Sequence, residues 1–241
     1  MSVSIKSGAL PAQAQPANEP NELVRLERWL PTLLGVIAGM VDVTGFLTLG
    51  LFTAHVTGNL VVIAALLVRG GPPNMAQILA VPVFVLAVAA VWLIAKALER
   101  DDPALVRPLL LIQFLLLGCV LVFSVIYDPA ANPHGLMAVV VAMFAVSAMG
   151  CQFALLRLAL PGSPSTAVMT GNLTNSVLSL LDTLFPRQPL MEGANELLKK
   201  TLKVLVGFFV GCIAGAAAVS LLGDWAWLPP VVLAGVALAL G

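Results

Sequence analysis

The runs 75–95, 108–127, 135–156 and 204–223 are each at least 20 residues long, mostly apolar and free of charged side chains. A helix crossing a bilayer needs about 20 consecutive, mostly apolar residues, and only a helix or a closed barrel satisfies its backbone polar groups in hydrocarbon. A fifth run, 30–50, qualifies apart from Asp42, and 225–241 is a shorter final candidate. The composition agrees. The chain is 60% hydrophobic and 10% charged, whereas soluble domains carry about 25% charged residues. So few charges leave the lipid bilayer as the solvent, and the expected fold is all-α and polytopic.

Formal net charge is zero, which removes the electrostatic case for a nucleic-acid partner. The three cysteines, Cys119, Cys151 and Cys212, each lie in an apolar run without metal-ligand or disulfide spacing. They read as small buried hydrophobes, and neither a metal nor another cofactor is expected. Residues 1–28 are polar and lack the apolar core of a signal peptide. Of these, 1–20 read as disordered, and 22–29 as a short amphipathic helix with Trp29 at the headgroups. Residues 190–203 read as a basic amphipathic surface helix.

Two segments, 52–68 and 165–184, stand apart. Both are bounded by Gly/Pro-rich stretches and both begin near Thr-Gly-Asn-Leu: Thr57, Gly58, Asn59, Leu60 and Thr170, Gly171, Asn172, Leu173. Upstream, Ala38 to Asp42 falls against Ala148 to Gln152, so Asp42 aligns with Gln152. The pattern indicates an internal duplication, with membrane repeats at 29–127 and 128–241. Many transporters are built from two such repeats, with the site at their junction.

Two topologies follow. If all eight segments span, the repeats are parallel and Lys and Arg divide eight inside against four outside. If the two Thr-Gly-Asn segments are re-entrant or broken half-helices, about six helices span and the repeats are inverted. Eleven Lys and Arg then lie inside and only Arg69 outside. The positive-inside rule favours the inverted arrangement, with both termini cytoplasmic.

The stretch GMVDVTGFLTLGLFTAHVTGN at 39–59, with MGCQ at 149–152 and VMTGNL at 168–173, resembles the YoaK-like family of small bacterial membrane proteins, catalogued as a domain of unknown function. The resemblance covers nearly the whole chain after residue 30. It implies a bacterial inner-membrane protein of about six spans and a transporter role, and it implies no substrate.

Asp42 is the only charged side chain between Leu30 and Val68. An Asp at a helix centre costs about 2.5–3.5 kcal/mol on insertion scales. It reads as a cation or proton site, or as a structural carboxylate bracing a broken helix. His55 could relay protons to it or sit in the headgroups. Thr57, Gly58 and Asn59, with Thr170, Gly171 and Asn172, place hydroxyl, bare backbone and amide at a half-helix start, where N–H groups favour a polar oxygen; the alternative is simple capping. Asn175, Ser176, Ser179 and Asp182 continue from Asn172 as a polar stripe, lining a wet path or bonding to a neighbouring helix. Gly35 with Gly39, and Gly207, Gly211 and Gly215, read as close-packing seams, and Pro82 as a kink.

The reading is a transporter or channel for a small polar or charged solute or ion, proton- or cation-coupled through Asp42, Gln152 and the two motifs at the midplane. The alternative is a membrane scaffold or partner subunit. An intramembrane enzyme is disfavoured, since no HExxH or GxSxG motif is present. Self-association is compatible with either leading reading.

Overall fold

The computed structural model describes residues 19–71, 74–98, 102–185 and 194–241. Eight α-helices follow one another among the described residues: α1 (Glu19–Leu49), α2 (Val56–Arg69), α3 (Met75–Leu98), α4 (Asp102–Tyr127), α5 (Leu136–Ala159), α6 (Met169–Leu184), α7 (Ala194–Leu222) and α8 (Leu228–Leu240). Short 3₁₀ turns at Pro129–Ala131 and Gly223–Trp225 join α4 to α5 and α7 to α8. No strand occurs among the described residues. The protein is all-α and polytopic.

Among the described residues, five helices are long and apolar enough to cross a membrane, contributing Val24–Leu49, Met75–Leu98, Ala104–Tyr127, Leu136–Ala159 and Asn195–Trp225. The other three have 14, 16 and 13 residues (α2, α6 and α8). At 1.5 Å per residue they reach only about 20–24 Å, short of the ~30 Å hydrocarbon layer.

Burial divides the helices into an inner pair and an outer ring. The most apolar windows of α5 and α1 are 78% and 61% buried, against 11% for α3. Their core is Leu30, Leu34, Ile37 and Val41 from α1 with Ala142, Ala145, Met149 and Leu155 from α5. Helix α7 packs along α1 and α3 along α5, while α4 lies on α5 and α8 on α1. Helix α6 lies on α7 and α2 on α3. Exchanging α1–α4 for α5–α8 maps each of these pairs onto another.

The α1–α7 pair is the closest, because both helices present glycines at the seam. A Cβ on Gly39 would run into the Phe208 carbonyl, and one on Gly211 into the Val36 carbonyl. At Gly207 and Gly215 it would stand 2.8 Å from the carbonyls of Thr32 and Met40. Backbone cannot yield as a side chain can, so these glycines set the helix separation.

Polar contacts show which chain ends meet. Asn74, just before α3, donates to the carbonyls of Leu49 and Pro133 at 3.2 and 3.3 Å, and Gln77 donates to Gly50 at 2.7 Å. The end of α1, the start of α3 and the turn before α5 are therefore together, and α2 is flanked by chain that arrives and leaves at one end of the bundle. At the opposite end, Lys200 of α7 reaches Glu27 of α1 at 3.5 Å and the Gly162 carbonyl at 3.4 Å. The chain around α6 arrives and leaves there. Near the same end, the C-terminal Gly241 packs by Leu110 and Val106 at the start of α4.

Two amphipathic segments expected to stand alone are joined to spans. Residues 22–29 are the first turns of α1, which runs on through Pro31. Residues 194–203 open α7, while 190–193 lie outside the described residues, as do 1–18. Helix α3 continues through Pro82.

Candidate functional site

After Leu49 the helix stops at Gly50, whose φ of 71° is left-handed, where glycine carries no steric penalty. The chain then folds back along α1 until residues 53–55 reach Asp42. This carboxylate is 5% exposed. Its Oδ1 accepts from the backbone N–H groups of Thr53 and Ala54, both at 2.8 Å, and of His55 at 3.3 Å. Its Oδ2 lies 2.8 Å from Nδ1 of His55. Thr53 also donates its hydroxyl to the Val41 carbonyl at 3.1 Å. Three N–H groups facing one oxygen are the partners a carboxylate needs when taken out of water. His55 is the wetter member, with 31% of its side chain exposed against 7% for Asp42, and its ring stands edge-on to Phe208 at 5.2 Å.

Asn59 fastens the same loop from the other side. It accepts from the Phe52 N–H at 2.9 Å and donates to the Phe52 carbonyl at 2.8 Å, pairing as a second strand would. Gly58 leaves room for the Phe52 ring, which a Cβ would meet at 3.0 Å. The asparagine thus braces the incoming chain rather than capping the helix, and Thr57 points to the exposed surface.

The second hairpin repeats the plan with different atoms. Asn172 donates to the Ser165 carbonyl at 2.7 Å, again seven residues back. Gln152, the counterpart of Asp42, is fully buried. It donates to the Thr166 hydroxyl at 3.1 Å and to the Leu34 carbonyl of α1 at 2.9 Å, and accepts from Gln113 of α4 at 2.8 Å. Thr166 stands where Thr53 does, and both are fully buried. Thr170, like Thr57, is exposed, and Gly171 is half-buried.

Residues 30–240 match the model of a family described as "Protein of unknown function (DUF1275)". The chain belongs to the DUF1275 family. The YoaK-like proteins, whose motifs it shares, belong there too. No curated protein and no solved structure matches the chain.

In this DUF1275 protein the expected midplane residues fall into two clusters rather than one. The clusters meet α1 at Asp42 and Leu34, eight residues or about 12 Å apart along the helix axis. Asn172 and Asn175 line a cavity of about 300 Å³ with Ser165, Lys200 and Thr201, and Asp42, Asn59 and Gln152 do not line it. Ser176 bonds to the Thr201 hydroxyl of α7 at 2.9 Å, and Ser179 offers its carbonyl to Thr183. Both serines are buried, and Ser176 fastens α6 to α7. Asp182 is half-buried one turn further on.

Sequence reasoning missed Thr53, Thr166 and Gln113. The first two had a signal. The repeat extends further upstream, as Thr-Ala-x-x-Thr-Gly-Asn-Leu from Thr53 and again from Thr166, and its first residue is the one that Asp42 or Gln152 holds. Nothing in the sequence pairs Gln113 with Gln152.

Proposed function

We propose that this DUF1275 protein is a transporter or channel for a small polar or charged solute in a bacterial inner membrane. In this reading it consists of two inverted repeats, each with three membrane helices and one re-entrant hairpin, the third helix of the second repeat being the short α8. The observation that carries the reading is the pair of short helices, α2 and α6, each led in by non-helical backbone and each flanked by chain at a single, opposite end of the bundle. Irregular backbone at membrane depth is tolerated where protein or water surrounds it. Broken helices at matching positions of two repeats are the usual setting of a carrier's site.

The charges support an orientation. Among the described residues, Arg25, Arg28, Lys96, Arg107, Arg157, Lys199, Lys200 and Lys203 belong to the N-terminal end and Arg69 to the other. On the positive-inside rule the N-terminal end faces the cytoplasm, and α2 enters from outside. The half-exposed His55 then gives protons a route to Asp42, and the two Thr-Gly-Asn starts offer polar atoms to a solute. A scaffold role is less well supported, because the glycine seams that would suit a partner helix are filled by the chain's own α1 and α7.

Reconstitution tests the proposal. Proteoliposomes on a solid-supported membrane are challenged with amino acids, polyamines and simple ions, with and without a proton gradient. At least one class should give a current or uptake that Asp42→Asn abolishes. No flux above protein-free liposomes for any of them refutes transport.

A further inference from the structure

At the end of the bundle away from the N-terminus, a cavity of about 150 Å³ opens where α1, α4, α7 and the start of α8 converge. We propose that it binds a small organic ammonium ion. The proposal does not rest on transport, since binding there requires neither Asp42 nor the hairpins.

Three observations carry it. Ser124, which lines the cavity, is 3% exposed and its Oγ has no hydrogen-bond partner. An orphaned buried hydroxyl is uncommon in a native structure and calls for a water or ligand. Second, the exposed rim carries two carboxylates, Asp128 and Asp224, with no Lys or Arg in the lining. No described cation pairs with either. Backbone turns hold both at the rim: Asp128 has a left-handed φ of 40°, and Asp224 follows Gly223 at φ 53°. Third, Trp227 closes the wall beside Leu47 and Val219.

Together these select the ligand chemistry. An ammonium brings up to three donors, and the lining offers two carboxylates and a hydroxyl oxygen to accept them, while the buried Trp227 adds to the apolar wall for an organic tail. A bare metal ion fits poorly: Ca²⁺ takes 6–8 oxygens, no group of three or more metal-ligating His, Cys, Asp or Glu occurs among the described residues, and much of the wall is apolar. The volume suits about six heavy atoms, since a cavity near 150 Å³ holds benzene.

The probe is radiolabelled n-butylammonium, dialysed against the full-length protein in phosphatidylglycerol nanodiscs. Saturable binding is expected that n-butanol and butanoate do not displace. Asp128→Asn and Asp224→Asn should each weaken it about tenfold. Ser124→Ala should weaken it too, while raising the melting temperature of the ligand-free protein by removing the orphaned hydroxyl. If phosphatidylethanolamine in the nanodisc competes, the ammonium chemistry stands and a lipid headgroup is its source. No saturable binding at millimolar probe, equal binding by the Asp128→Asn/Asp224→Asn double variant, or displacement by butanol overturns the proposal.

Discussion

Replacing Asp42 separates the bracing role of its carboxylate from any role of its charge. In Asp42→Ala, the N–H groups of Thr53, Ala54 and His55 lose their shared acceptor. Each unpaired buried donor costs about 1–3 kcal/mol, so the sum is about 3–9 kcal/mol before the loop relaxes. That is comparable with the whole stability of about 5–15 kcal/mol of an ordinary domain, and α2 should detach or the protein fail to accumulate. Asp42→Asn keeps an oxygen for the three donors and loses charge assistance, which roughly halves each bond's strength. Its cost should be about 1–3 kcal/mol. His55→Ala removes a single bond from a side chain 31% exposed and should cost less than about 1 kcal/mol. Melting in detergent, followed by tryptophan fluorescence and by size-exclusion profile, ranks the three. Equal losses for Asp42→Ala and Asp42→Asn would refute the carboxylate as the brace of this hairpin.

Three further outcomes follow from the packing. Gly211→Ala puts a methyl group against the Val36 carbonyl and should cost about 1–3 kcal/mol as overpacking, whereas Gly118→Ala, which meets nothing within 4 Å, should be neutral or stabilising in the same melt. Asn59→Asp keeps the acceptor for the Phe52 N–H but sets an oxygen against the Phe52 carbonyl, so it should be at least as damaging as Asn59→Ala, and Asn172→Asp should behave alike toward Ser165. In intact cells, an impermeant maleimide should label a cysteine placed at Arg69 and not one at Lys96; the reverse pattern would overturn the inverted topology.

The spans were legible because lipid imposes a coarse rule: long runs free of charge must be helices. The glycine seams were legible for a similar reason, since spacing four apart puts Gly207, Gly211 and Gly215 on one face. What the sequence could not supply was the partner of each polar group. Asp42 was visible as costly, but whether it faced a ligand or a loop depended on how far 50–55 folds back, which no periodicity records. The stripe of Asn172, Ser176 and Ser179 was visible as a face. Only the packing against α7 shows Ser176 bonded to Thr201. The amphipathic segments at 22–29 and 190–203 were misjudged as separate, the second as far as its described part 194–203 shows, because charge marks where a helix leaves the membrane, not where it ends.

The duplicated hairpins are braced by different chemistry, and that difference makes a last prediction. A carboxylate only accepts, so Asp42 gathers backbone N–H groups and an imidazole around itself. An amide both donates and accepts, so Gln152 can join Gln113, Thr166 and Leu34 on three other segments. One brace is built on an ionisable pair and the other on neutral amides. Gln152→Glu tests how far the neutrality of the second brace is required. The size is kept and Gln113 can still donate, but the Leu34 carbonyl loses its donor and faces a carboxylate oxygen in a fully buried position. Among the described residues no basic side chain hydrogen-bonds to this cluster, so the charge would stand uncompensated, at a cost of about 3–5 kcal/mol. Gln152→Glu should therefore melt well below Asp42→Asn, although both exchange an acid and its amide. Equal melting of the two variants would mean that the α6 brace tolerates charge, and the asymmetry between the hairpins would then hold no consequence for coupling.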